Sequence, residues 1–175
     1  MYKTGGMGNV IDYRYGVEMG DAVRGRIDRV RYDFCRTQAE LIDERFFVPY
    51  SEWCRSLGVL SRVQAYGRGV HPLGSSLHCD IPEGESWTTN WLKHRLGEEM
   101  GNEDYRRGRG YTMINKYMSS GGHLAGRRTI SAEDMTNTCL VFTATLEFLK
   151  LGSDHSVFSG ITHSVFHGFN YSPPE

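Results

Sequence analysis

From Val59 onward the chain alternates short extended runs with stretches of helical period, and this alternation narrows the fold more than any other feature. The extended runs lie at 59–67, 77–81, 129–132 and 161–167. Helical periods fill 111–125, stopped by Gly126, and 136–151, with Cys139, Phe142, Leu146 and Leu149 as its stripe and Gly152 as its stop. Two helices come first. One spans 21–46, with Asp21 as cap, an inner stripe of Val23, Ile27, Val30, Phe34, Leu41 and Ile42, and a solvated face carrying Arg24, Arg26, Asp28, Arg29, Arg31 and Asp33. The other spans 49–57, with Pro49 in its first turn, Trp53 and Leu57 on one face, and Gly58 as its stop. The order is helix, strand, strand, helix, strand, helix, strand. Strands that alternate with helices imply parallel βαβ units.

A chain of 175 residues holds one domain with a real core. Residues 1–20 show no period and are expected to form a loop or irregular end, with the domain over 21–175. A net charge of −1 gives no electrostatic footprint for nucleic acid or an anionic membrane. No apolar run reaches bilayer length, and Met1–Gly6 lacks the apolar core of a signal peptide, so the compartment stays open. Cys35, Cys54, Cys79 and Cys139 form no C-x-x-C and are expected as free thiols packed like small hydrophobes.

The stretch His78-Cys79-Asp80-Ile81-Pro82-Glu83-Gly84-Glu85-Ser86-Trp87-Thr88 carries the chemistry. Pro82 argues against a continuing central strand and Gly84 favours a sharp bend, so Glu83 and Glu85 are expected in a turn after a strand at 77–81. Carboxylates beside an indole suit sugar chemistry: the acids can act on a glycosidic bond, and the ring can stack on a pyranose. The plainer reading is an exposed acidic loop with a half-buried Trp87.

Polar side chains recur where the extended runs end. Gln64 and Tyr66, then Asp80, Glu83 and Glu85, then Glu133, then His167 all stand at or just past C-terminal ends. In a (β/α)8 barrel those ends form one face, which holds the active site. Complete barrels need roughly 200–250 residues. The chain therefore holds about four βα units: a fragment covering about half a TIM barrel, or a smaller α/β sheet.

Four segments together resemble glycoside hydrolase family 106, the α-L-rhamnosidase-type barrel enzymes. They are Tyr32-Asp33-Phe34 through Trp53-Cys54, Gly58 and Arg62-Val63-Gln64-Ala65-Tyr66-Gly67; Asp80-Ile81-Pro82-Glu83-Gly84-Glu85-Ser86-Trp87; Ser119 to Gly126 with Ser131-Ala132-Glu133-Asp134-Met135-Thr136; and Val165-Phe166-His167-Gly168-Phe169-Asn170-Tyr171-Ser172. The resemblance implies hydrolysis of terminal α-L-rhamnosyl linkages by inversion, with carboxylates on barrel strands, often with a calcium ion, and with a rhamnose-containing glycan or glycoside as partner. It makes Glu85 and Glu133 the catalytic candidates, for activating water and for holding substrate or metal, with Glu133 favoured as base. It places a general acid ahead of the Tyr-Asp-Phe helix, where Asp12, Glu18 and Asp21 are weak substitutes. The family often has His where Tyr66 stands. Its bacterial members are commonly periplasmic or extracellular.

Each remaining candidate has a functional and a plainer reading. Arg62 and Gln64 share a face and either bind sugar hydroxyls or are ordinary barrel-interior polar groups. Glu83 either meets substrate or caps its turn. Glu133 either reaches the barrel mouth or pairs with Arg127 or Arg128. His123 either touches substrate or sits favourably at a helix C-terminus. His167 stands at a strand end, and His155 and His163 are surface or wall residues. Trp87 and Tyr171 offer stacking surfaces or pack in the core. Tyr66 and Asp80 complete the substrate-binding candidates, Asp80 also as an oxygen ligand for a hard cation. The rival to an active glycosidase is a non-catalytic carbohydrate-binding remnant keeping Gln64, Trp87, His167 and Tyr171. A third reading, a metal-dependent hydrolase using His78, His123 or His167, has no recognised ligand spacing behind it.

Overall fold

The computed structural model describes residues 20–67, 69–87, 102–136 and 146–168. Its elements are α1 (Asp21–Ile42), a π-helical turn (Asp43–Phe47), α2 (Val48–Ser56), β1 (Arg62–Gln64), α3 (Pro72–Ser76), β2 (Ile81–Trp87), α4 (Asn102–Leu124), β3 (Ser131–Thr136), α5 (Leu146–Phe158) and β4 (His163–Phe166). The four strands form one parallel sheet in the order β1-β2-β3-β4. Every step in that order runs the same way. With right-handed crossovers the connecting helices then fall on one face of the sheet, as in a (β/α)8 barrel and unlike a doubly wound sheet.

The core lies between sheet and helices. Ala65, Cys79, Met118, Ile130 and Ala132 are fully buried and cluster with Phe47 and Ile161. Strand alternation sends Val63, Ala65 and Ala132 to this side and Gln64, Tyr66 and Glu133 to the other. Helix α4 packs on β2 and α5 on β3. The helices α4 and α5 end alike: Arg127 N–H reaches Gly122 C=O and Ile161 N–H reaches Ser156 C=O around Gly126 (φ 69°) and Gly160 (φ 94°). Those are Schellman closures, which need a left-handed residue.

The elements depart from the expected boundaries in instructive ways. Asp80 precedes β2, and Ile81 to Trp87 are strand, so Glu83 and Glu85 lie within the sheet and not in a turn. Pro82 is tolerated for a geometric reason. Ile81 N–H donates to Ser61 C=O toward β1, so the missing Pro82 N–H would face β3. Pairing of β2 with β3 starts only at Glu83↔Ser131, and no ladder bond is lost. Gly84 lies within the strand and does not end it; a Cβ there would clash with Asn115 Oδ1 of α4. Gly84 is thus a contact point for a helix.

Likewise β1 and β3 are shorter than, or displaced from, the expected runs, and β3 contains Glu133 and Asp134. Helix α4 starts ahead of the expected 111 and runs through Gly108 and Gly110, and α3 adds a short helix between β1 and β2. Gly152 lies inside α5, where Met135 packs against it; the helix stops at Gly160. Pro49 lies in the first turn of α2, as expected, but no break separates that helix from α1. The backbone runs on through the π turn, where Val48 N–H bonds Asp43 C=O, and this wider turn admits the proline ring. At the start of α1 Gly20 is the cap and Asp21 the first helical residue.

The inner stripe of α1 also differs: Cys35 and Ala39 are buried, whereas Val23, Val30, Phe34 and Leu41 are exposed, as are Trp53 and Leu57 of α2. Cys35, Cys54 and Cys79 are buried free thiols. The expectations for residues 1–19, Cys139, Phe142, Tyr171 and the Trp87 side chain lie outside the described residues.

Candidate active site on the polar face of the sheet

The face away from the helices carries charge in two layers. Gln64, Glu83, Ser131 and His163 are register partners in the lower layer, and Glu85, Glu133 and Val165 in the upper. In the lower layer Glu83 is buried, accepts from Ser131 Oγ (2.7 Å) and pairs with Arg62 Nε (3.2 Å). Its Oε2 takes both contacts and joins β1, β2 and β3.

The upper layer holds two hydrogen-bonded groups, Tyr66 with Glu85, and Glu133 with His167 and with Gln64 reaching up from the lower layer. Tyr66 donates to Glu85 Oε2 and lies 3.3 Å from Gln64 Oε1. Gln64 Nε2 donates to Glu133 Oε2 (2.5 Å), and His167 Nδ1 meets Glu133 Oε1 (2.6 Å). Burial opposes the Glu133 charge, but the bonds from Gln64 and His167, with the charges of His167 and Arg62, hold its carboxyl below the usual carboxylate range. Burial, then the bond to Glu85 and the charges of Glu85, Glu133 and Glu83, push the Tyr66 phenol strongly up, so it remains a donor. Glu133 is also the open acid of the face: its side chain is 29% exposed, against 9% for Glu83.

Arg62, Gln64, Tyr66, Glu83, Glu85, Glu133 and His167 therefore share one face. Asp80 does not join them. It stands ahead of β2, at the opposite end from Glu85. There it accepts from Ser61 N–H (3.1 Å), Ser61 Oγ (3.0 Å) and Arg55 (3.1 Å), and pairs with Arg127 (3.2 Å). Arg127 thus serves Asp80, not Glu133. His123 is exposed in the last turn of α4, at the N-terminal end of β3, and is likewise remote from Glu133. His78 lies nearest Asp43 (3.9 Å). The three histidines of the metal-hydrolase reading do not come together.

Among the described residues no three His, Cys, Asp or Glu side chains gather as a metal cluster. The carboxylates implied as calcium ligands are met instead by N–H and O–H donors: Asp80 by Ser61 and Arg55, Glu85 by Tyr66, Glu133 by Gln64. Asp80 also stands at the other end of β2 from Glu85 and Glu133, so these three carboxylates do not converge on one position where a hard cation could gather oxygen ligands.

Sequence reasoning missed Ser131 as the partner of Glu83, and Asp134 altogether. Asp134 is fully buried on the helix side, behind Glu133. Strand alternation alone separates these neighbours onto opposite faces, and that signal was available once β3 extended past Ala132.

Comparison with known proteins follows the same direction. The sequence model of glycoside hydrolase family 106, alpha-L-rhamnosidase, matches residues 19–175. A solved structure of rhamnosidase from Novosphingobium sp. PP1Y superposes with a TM-score of 0.65 at 22% identity, over 85% of this chain. The match spans 13% of the length of that rhamnosidase. A search of curated proteins gives no match. With the family match over nearly its whole length and a fold shared with a rhamnosidase, this chain belongs to glycoside hydrolase family 106, the alpha-L-rhamnosidase family.

Proposed function

We propose that the chain supplies part of the catalytic face of an enzyme hydrolysing terminal α-L-rhamnosyl linkages, with Glu133 as the base that activates water. The observation that carries this reading is the state of Glu133. Its carboxyl is held ionised by Gln64 and His167 and is the accessible acid of the face. A general base needs an empty proton site at working pH and a free lone pair for water; each carboxylate oxygen has two lone pairs, and the described contacts take one on each.

In an inverting hydrolysis the base takes a proton from water as that water attacks the anomeric carbon. A carboxylic acid, roughly 6.5–9.5 Å from the base, gives its proton to the departing oxygen. Neither Glu83, paired with Arg62, nor Glu85, buried under Tyr66, fits that acid. Glu85, one strand over from Glu133, is placed to hold a sugar hydroxyl, with Tyr66 fixing its carboxylate. Arg62, Gln64 and His167 orient these acids, and Trp87 and Tyr171 are candidate stacking surfaces. A carbohydrate is the partner in this reading.

The test is hydrolysis of p-nitrophenyl α-L-rhamnoside by the chain and by Glu133→Gln and Glu85→Gln, with the released anomer read by NMR. Loss of turnover in a folded Glu133→Gln, with β-rhamnose released first by the parent, supports the reading. Unchanged turnover in Glu133→Gln refutes it. Rhamnose binding without turnover by the parent chain favours a carbohydrate-binding remnant.

A further inference from the structure

We propose that Asp134 is a positioning residue that fixes Glu85, Glu133 and His167 relative to one another from behind the sheet; its catalytic consequence rests on Glu133 being the base. Asp134 is fully buried on the helix side. Its Oδ1 accepts from Ser86 Oγ of β2 (2.7 Å) and Ser156 Oγ of α5 (2.6 Å), and its Oδ2 from Ser164 Oγ of β4. Its backbone C=O accepts the N–H of His167 (2.9 Å). No cation is among these partners. A buried carboxylate met only by hydroxyls is a poor device for stability, since an apolar side chain of similar size does as well or better. Its value lies in what it holds.

Each strand partner sits beside a residue of the polar face. Ser86 follows Glu85, Asp134 follows Glu133, and Ser164 precedes Val165, the register partner of Glu133. His167, whose ring holds Glu133, is tied through its own N–H. The tie falls where the sheet cannot hold itself. Between Glu85 and Trp87 the β2–β3 register shifts from Glu85↔Glu133 to Trp87↔Thr136. Across that bulge Met135 takes φ 64°, a backbone state costly for a residue with a side chain. Regular ladder bonds lapse at a bulge. Ser86 fills the gap, donating to Asp134 and accepting from Met135 N–H (3.2 Å). The lateral placement of Glu85 against Glu133 is thus set by Asp134 and Ser86.

The experiment uses Asp134→Asn, with Ser86→Ala as the variant that keeps the buried acid and Ser156→Ala as the variant that removes only the bond from α5. Two readouts are taken on folded protein. One is the tautomer of His167, from long-range 1H–15N correlation, which needs no turnover. The other is the kcat and KM split on p-nitrophenyl α-L-rhamnoside. In Asp134→Asn and Ser86→Ala we expect His167 to shift from the Nδ1–H toward the Nε2–H form. We expect kcat to fall about 10- to 100-fold with KM little changed, as a displacement near 1 Å predicts. Ser156→Ala is expected to keep the parent tautomer. A folded Asp134→Asn or Ser86→Ala with parent tautomer and parent kcat overturns the proposal. If the parent shows no turnover, this part of the face does not hydrolyse the glycoside alone, and the tautomer result by itself decides whether Asp134 positions the row.

Discussion

Replacing Asp80 by Asn tests whether the charge cluster ahead of β2 anchors the sheet. The Asp80 side chain is 5% exposed, and its carboxylate accepts from Ser61 N–H, Ser61 Oγ and the Arg55 guanidinium while pairing with Arg127. Breaking a fully buried ion pair costs about 3–5 kcal/mol. That figure is too high here, because Arg55 and Arg127 are 48% and 33% exposed and regain water when the carboxylate is lost. The amide keeps one acceptor and turns an NH2 toward donors, so roughly one charge-assisted bond and one neutral bond are lost. The expected cost is about 2–3 kcal/mol, or about 5–10 °C in Tm for a chain of this size. The pH dependence has a definite sign. Burial opposes the Asp80 charge, but Ser61 and Arg55 outweigh it and hold its carboxyl below the ordinary value. Its stabilisation is therefore present above about pH 4, the unfolded value, and is lost as pH falls through the lower folded value. Urea unfolding of parent and Asp80→Asn at neutral pH and at about pH 3 reads both effects. A gap below about 0.5 kcal/mol at neutral pH, the scale of ordinary surface substitutions, refutes the anchor. A gap that does not narrow in acid refutes its electrostatic origin.

The same geometry makes further predictions. Glu133→Gln should lower kcat about 10²- to 10⁴-fold on p-nitrophenyl α-L-rhamnoside, the range for removing a general base. The acid limb of kcat/KM for the parent should fall below about pH 4.3, the free glutamate value, and His167→Ala should move it upward by removing a bond that holds Glu133 ionised. Gly84→Ala sets a methyl 2.0 Å from Asn115 Oδ1 and 3.2 Å from the Asn115 Cα, so a loss of about 1–3 kcal/mol is expected in urea unfolding. Cys79 is fully buried, and burial with the charges of Asp80 and Asp43 pushes its thiol up to about 12. It should therefore resist iodoacetamide at about pH 8 in native protein and react once urea unfolds the chain, as peptide mapping would show.

Much of the architecture is legible in the sequence because helix and strand periods differ. The alternation of elements and the parallel sheet follow from it. What misleads is glycine and proline read only as local breakers. Gly152 reads as a stop but lies within α5, where a Cβ would meet Met135 Sδ at 3.1 Å; it is a place where neighbouring elements come close. Gly84 and Pro82 in β2 are the same case, one bare toward α4 and the other placed where β3 has not yet begun to pair. Such uses depend on what lies across the gap, and a linear pattern holds no record of that. Helix α1 shows the converse: its large apolar residues form the obvious stripe, yet the buried positions are Cys35 and Ala39.

The site divides along the same line. Gln64, Tyr66, Glu85, Glu133 and His167 could be gathered from sequence because each falls at a strand end and the spacing of two fixes its side of the sheet. Asp80 could not be separated from them, since it is one residue outside β2 and its partners Arg55 and Arg127 are 25 residues before it and far along the chain after it. Asp134 was hidden for a different reason. Adjacent carboxylates read as one acidic pair, whereas one residue of strand advance puts Glu133 in the polar row and Asp134 among Ser86, Ser156 and Ser164. The two acids therefore need opposite surroundings. Glu133 requires donors that leave it ionised and open to water. Asp134 is fully buried and accepts from hydroxyls on three elements beside the β2–β3 bulge, so its own requirement is for donors that align with it where the ladder is interrupted.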